Sequence, residues 1–210
     1  MSARSWRGAE AMEPFRTLRS AAVPFARSNI DTDQILPARF LSRPRDDNHG
    51  AYLFRDLRLD PDGNEIADFP LNQPHWREAR IALGGRNFAC GSSRENAVWA
   101  LYDHGVRAVI APSFGDIFAN NSVKNGMLAV TLPEEVVASL IAQSIADPAA
   151  EIAIDLPAQT VTGPDGAVHH FEIDPFAKKS LLEGLDELGF TLTHAEEIAA
   201  FERRLGRDNF

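Results

Sequence analysis

One cysteine in the whole chain, Cys90, excludes an internal disulfide and fits a reducing cytoplasm. It also excludes a self-contained iron–sulfur or structural zinc site, since these need several thiolates or four ligand groups. The histidines, at 49, 75, 104, 169, 170 and 194, fall in no HExxH-type spacing, so any metal has to come from a partner. Basic residues are in deficit. With 21 Lys and Arg against 30 Asp and Glu, the formal charge is −9, which disfavours nucleic acid and anionic membrane as principal partners. No apolar run approaches the roughly 18 residues of a membrane span. Residues 1–12 lack the apolar stretch of a secretory signal and read as a disordered extension ahead of one domain over 13–210. GxGxxG, GKS/GKT and the GxSxG elbow are all absent, as are internal repeats.

The most informative stretch runs from Gly84 to Gly105. Ser92, three residues before Glu95, has the pattern of a capping box and predicts Ser92 as N-cap of a helix. Ala97, Val98, Leu101 and Tyr102 follow at helical spacing, and Gly105 supplies the stop. Apolar runs on either side, Ile81 to Leu83 and Val106 to Ala111, predict flanking strands. Arg94 in the first turn opposes the helix dipole, which points to something negative nearby. Cys90 reads as a buried small residue, because no histidine is placed to serve it as a base.

Taken in order, the chain opens with a strand over Phe15 to Phe25. The turn Ser28 to Pro37 follows, holding Asp31 and Asp33, and Pro37 introduces a short helix to Leu41. Residues 43–76 are rich in Pro, Asp and Asn but carry Tyr52-Leu-Phe-Arg-Asp-Leu-Arg58, which predicts an ordered flap or loop. Ser113 with Asp116 repeats the capping chemistry, and Thr193 with Glu196 repeats it again before a last helix. Met127 to Leu132 reads as a strand. Pro133 opens an amphipathic helix whose apolar face is Val136, Val137, Leu140, Ile141 and Ile145. From Glu151 the period becomes two, giving an antiparallel hairpin through Val168 to Ile173, and Phe176 to Leu185 reads as a helix. The fold class is therefore α/β, with a parallel core sheet and an antiparallel part.

Three segments occur in one order: Asp31-Thr-Asp-Gln-Ile-Leu-Pro37, Gly91-Ser-Ser-Arg-Glu95 and Ala111-Pro-Ser-Phe-Gly-Asp-Ile-Phe118. With Phe69 to Pro74 and Gly184-Leu-Asp186, they resemble the small subunit of 3-isopropylmalate dehydratase, the swivel-domain partner of the aconitase superfamily. The likeness runs from Phe15 to the end. It implies a swivelling β/β/α domain and a two-chain, cytoplasmic hydro-lyase that converts 2-isopropylmalate to 3-isopropylmalate in leucine biosynthesis. A large subunit would carry the [4Fe–4S] cluster, whose iron acts as Lewis acid on the hydroxyl. This chain would bind no cluster itself. By the same resemblance Ser92 is the catalytic base, Ser93 and Arg94 bind the dicarboxylate substrate, and Asp33 belongs to the segment that approaches the site.

A helix terminus favours an anion by about 0.3–2 kcal/mol, and one pKa unit is about 1.4 kcal/mol. The dipole alone therefore lowers a serine pKa by about one unit or less, and the alkoxide needs Arg94, direct N–H bonds and a closed site as well. Two departures bear on the substrate. Asn96 stands where the family usually has His, and Ala38-Arg39 follows Pro37 where many relatives differ. They leave citraconate/methylmalate, dimethylmalate or homoaconitate hydro-lyases as alternatives. Two further readings are a non-catalytic carboxylate-binding assembly subunit and a hydrolase dependent on Cys90.

Overall fold

The structure is a computed structural model that describes residues 12–46, 48–91, 94–185, 189, 191–192 and 194–204. The expected extension over 1–12 and the cap at Thr193 therefore lie largely or wholly outside the described residues. Among the described residues, seven strands form one sheet in the order β4-β3-β2-β1-β5-β6-β7. Strands β1 (Thr17–Phe25), β2 (Ile81–Gly84), β3 (Ala108–Ala111) and β4 (Leu128–Thr131) are parallel. Strands β5 (Glu151–Asp155), β6 (Thr160–Thr162) and β7 (Val168–His170) continue it antiparallel from the other edge of β1.

Strands β2 and β3 are buried at every position, which is why they read as unbroken apolar runs. Alternate residues feed two cores. Val23, Phe25, Ala82, Val109 and Ala111 face one, with Val98 and Leu101 of helix α3 (Glu95–Asp103). Leu18, Ala22, Ile81, Leu83, Ala108 and Ile110 face the other. There they meet Val137 and Leu140 of helix α5 (Glu134–Ala146) and Leu181 of helix α6 (Pro175–Glu183). Helices α1 (Thr32–Ile35), α2 (Arg55–Arg58) and α4 (Asp116–Lys124) complete the set up to α6, and a last helix runs Ala195–Arg204. No helix of the described residues is long and apolar enough to cross a membrane.

The face expected for α5 needs one correction. Val137 and Leu140 are buried and Val136 and Ile141 pack beside them, but Ile145 is exposed and Ser144 is buried in its place. Position 144 lies four residues from Leu140 and seven from Val137, on the buried stripe, whereas 145 has rotated off it.

Residues 43–76 put Leu53, Phe54, Leu71 and Trp76 into the first core. Their 3₁₀ turn His49–Tyr52 lies against α3 so closely that a Cβ on Gly50 would stand 2.6 Å from the backbone nitrogen of His104. His49 is fully buried, with its ring edge-on to Tyr52 and Trp99. Arg45 grips Asp103 with Nε at 2.9 Å and Nη2 at 2.5 Å.

Burial, reinforced by the Arg58 guanidinium and offset in part by a backbone bond to Gly50, pushes the His104 imidazole from 6.5 down to about 4. The unfolded chain therefore binds a proton between those pH values that the folded chain refuses. The stability held above pH 6.5 should fall by about 1.4 kcal/mol per unit on acidification, roughly 3 kcal/mol in all by pH 4. Denaturant titration of the wild type and His104→Gln across that range checks this. Equal slopes for the two would refute it.

Candidate active site at the carboxyl ends of the parallel strands

Strands β1 and β2 are parallel neighbours, so the loops that follow them emerge side by side at the carboxyl ends of the parallel strands. Backbone bonds lace these loops together. Asn29 N donates to Arg86 O at 2.8 Å, Cys90 N to Ile30 O at 3.1 Å, and Thr32 N to Cys90 O at 3.0 Å. Asn29, Asn87 and Ala89 all sit at left-handed φ of 56–57°, and Asn87 Nδ2 donates to Asn29 Oδ1 at 2.9 Å. Strained backbone gathered where two loops meet is a common mark of a site. The loop after β3 joins through Phe88 N to Ser113 O at 2.9 Å and Gly115 N to Phe88 O at 3.0 Å.

Asp31, read from sequence as a turn former, is the N-cap of α1. Its Oδ1 accepts from Asp33 N at 2.7 Å, while Gln34 Oε1 accepts from Asp31 N at 3.2 Å. This is a reciprocal capping box, and the Asp-x-x-Gln spacing was its signal. The capped Asp31 side chain also requires a glycine at 91. A Cβ there would lie 2.4 Å from Asp31 Oδ2, and φ is +92°. Asp33 is left exposed, and it lines a cleft with Thr32, Leu36, Leu41, Arg94 and Ala97. Arg94 is exposed and makes no ion pair or side-chain hydrogen bond among the described residues. A carboxylate and a guanidinium thus border one cleft without being paired in an ion bridge.

Two expected caps are corrected. Helix α3 begins at Glu95, and its N-cap is the extended Arg94, which makes no side-chain cap bond. The Glu95 carboxylate instead accepts from Asn125 Nδ2 at 2.8 Å, a donor that packing brings from the end of α4. Ser113 does not cap α4 either. Gly115 is its N-cap, and Ser113 Oγ accepts from Asn87 N at 2.8 Å. Ser92 and Ser93 lie outside the described residues. Cys90, expected to be buried, is half-buried, with Sγ 3.6 Å from Ile30 O. Arg39 pairs with Asp56 on the surface and holds that carboxyl below its usual range.

A cluster does not fit this chain. Among the described residues no three His, Cys, Asp or Glu side chains come together as a metal site, and the single thiol points to a carbonyl. A family model described as the aconitase C-terminal domain matches residues 12–135, and a second, LeuD_N, matches 138–175. The 3-isopropylmalate dehydratase small subunit of Paramagnetospirillum magneticum is 49% identical over 191 residues, covering 91% of this chain and 95% of that protein. The chain belongs to the 3-isopropylmalate dehydratase small-subunit family. The small subunit of Chloroflexus aurantiacus is 51% identical, again covering 91% of this chain and 95% of that protein. A solved structure of 3-isopropylmalate dehydratase from Methanocaldococcus jannaschii superposes with a TM-score of 0.61 at 23% identity, covering 89% of this chain and 99% of that one, a likeness of fold. The loops after β1 and β2 are where the Asp31-Thr-Asp segment meets Cys90 and Gly91, joined by the bridge between Asp31 and Cys90.

Proposed function

We propose that this chain is the small subunit of a two-chain hydro-lyase that interconverts 2-isopropylmalate and 3-isopropylmalate. The observation that carries the reading is the shared cleft of Asp33 and Arg94, at the carboxyl ends of the parallel strands, in a chain of this family. Arg94 offers a planar pair of donors to a substrate carboxylate. Ser92, two residues before it, is the base that takes the proton next to that carboxylate, and Ser93 binds the same group. Asp33, which lines the same cleft, orients the substrate.

The cleft formed by described residues holds about 10 Å³, the room of one water, so a branched dicarboxylate needs walls from elsewhere. A large partner subunit supplies them in this reading, and it would also carry the iron–sulfur cluster, since one cysteine cannot hold one. The test is co-expression with the large subunit under anaerobic conditions, then assay of malate and maleate derivatives. The chain alone should show no turnover of 2-isopropylmalate and the assembled pair should turn it over. Full activity of the lone chain would overturn the two-chain reading. Preference of the pair for citraconate or homoaconitate would overturn the substrate.

A further inference from the structure

Asn125 lies 30 residues beyond Glu95 and ends helix α4. Its amide is used on both sides: Nδ2 donates to Glu95 Oε1 at 2.8 Å and to Asn121 O at 2.9 Å, and Oδ1 accepts from Trp99 Nε1 at 3.0 Å. Trp99 is itself edge-on to the fully buried His49 and lies under Arg45, so the clamp is backed by packed groups. Each of these atoms has a partner in a half-buried setting, and such a network fixes one arrangement of its members. The group it restrains is the acid that directly follows Arg94.

That restraint has a consequence for Arg94. As the extended N-cap residue, Arg94 is free of the divergence that separates adjacent side chains within a helix. A Glu95 carboxylate released from α4 would be an anion one residue along the chain from Arg94 and would compete with a substrate carboxylate for its guanidinium. Held on α4, Glu95 makes no ion pair with Arg94. We propose that Asn125 is a positioning residue that keeps Glu95 turned to α4 and so leaves Arg94 open to the substrate carboxylate. The inference rests on the reading of Arg94 given above and extends it to a residue on another helix.

The test uses the assembled two-chain enzyme. Asn125→Ala should raise KM for 2-isopropylmalate by about two- to fivefold, the upper range of an exposed ion pair, with kcat less affected. Asn125→Asp keeps an acceptor for Trp99 but loses the donor to Glu95 and to Asn121 O and sets a second carboxylate against Glu95, and should raise KM at least as much. The deciding variant is Asn125→Ala combined with Glu95→Gln. A neutral amide does not compete for Arg94, so KM should return towards the wild-type value although no clamp has been rebuilt. A purely structural role would leave the double variant as impaired as Asn125→Ala. Arg94→Ala in the same series separates the two readings. If Arg94→Ala raises KM and Asn125→Ala and Asn125→Asp do not, the clamp is overturned alone. If Arg94→Ala leaves KM unchanged, the carboxylate role of Arg94 falls and the clamp falls with it.

Discussion

Ser92→Ala, made in the assembled two-chain enzyme, is expected to lower kcat by about 10²–10⁴-fold, the usual contribution of a positioned general base, while subunit assembly and thermal midpoint are retained. A serine hydroxyl is a poor base, and the start of helix α3 shifts its pKa by only about one unit or less. Most of the stabilisation of an alkoxide has to come from fixed donors and from the positive charge of Arg94 in a site closed to water. Arg94 is suited to that work because it carries no counter-charge among the described residues. Exchange of the substrate proton with solvent should disappear together with turnover, because both need the same base. Near-normal turnover, or exchange that continues without turnover, would remove Ser92 from the chemistry.

Phe54→Ala should cost about 3–5 kcal/mol of folding stability, as expected for truncating a fully buried aromatic side chain. Phe54 is 1% exposed, with ring centroids 4.8 Å from Phe25 and 5.6 Å from Phe69. Its backbone is unusual for so bulky a residue, with φ at +49°. The ring's three-way packing holds that conformation, and the residue turns the chain into α2, where Leu57 N and Arg58 N both donate to its carbonyl. Its own N–H donates to Ile35 O at 2.7 Å, at the end of the helix that carries Asp33. The same substitution should therefore loosen one wall of the cleft. Comparison with Phe54→Gly isolates the backbone contribution. Glycine is at ease at positive φ, so Phe54→Gly should be no less stable than Phe54→Ala although it removes one more carbon. Chemical denaturation of the three proteins checks both points. A loss below about 1 kcal/mol for Phe54→Ala, or a markedly weaker Phe54→Gly, would refute them.

Much of the fold was legible in the residue pattern because burial repeats along the chain. Ile81 to Leu83 and Ala108 to Ala111 read as strands covered on both faces, and Ile152 and Ile154 alternate as a strand with one buried face should. The family was legible too, in the order of three short segments. At the site, sequence reasoning named Asp33 and Arg94, which the fold places on one cleft, but it assigned the polar partners poorly. It took Ser113 as a cap for α4, and it passed over the Asp31–Gln34 box and the whole of Asn125.

The reason is physical. Hydrophobic periodicity is a property of neighbours in sequence, since burial of one helix or strand face selects residues at fixed spacing. A polar side chain instead goes to the best donor or acceptor within reach, and only the packed chain determines what is within reach. Helix α4 ends beside the first turn of α3, so Glu95 finds there the amide of Asn125, 30 residues away in sequence. The sequence by itself determined most of the strands, the parallel and antiparallel parts of the sheet, and the family. Tertiary structure decided that Asp31 caps while Asp33 faces the cleft, that Phe54 holds a left-handed turn, and that Glu95 bonds to Asn125.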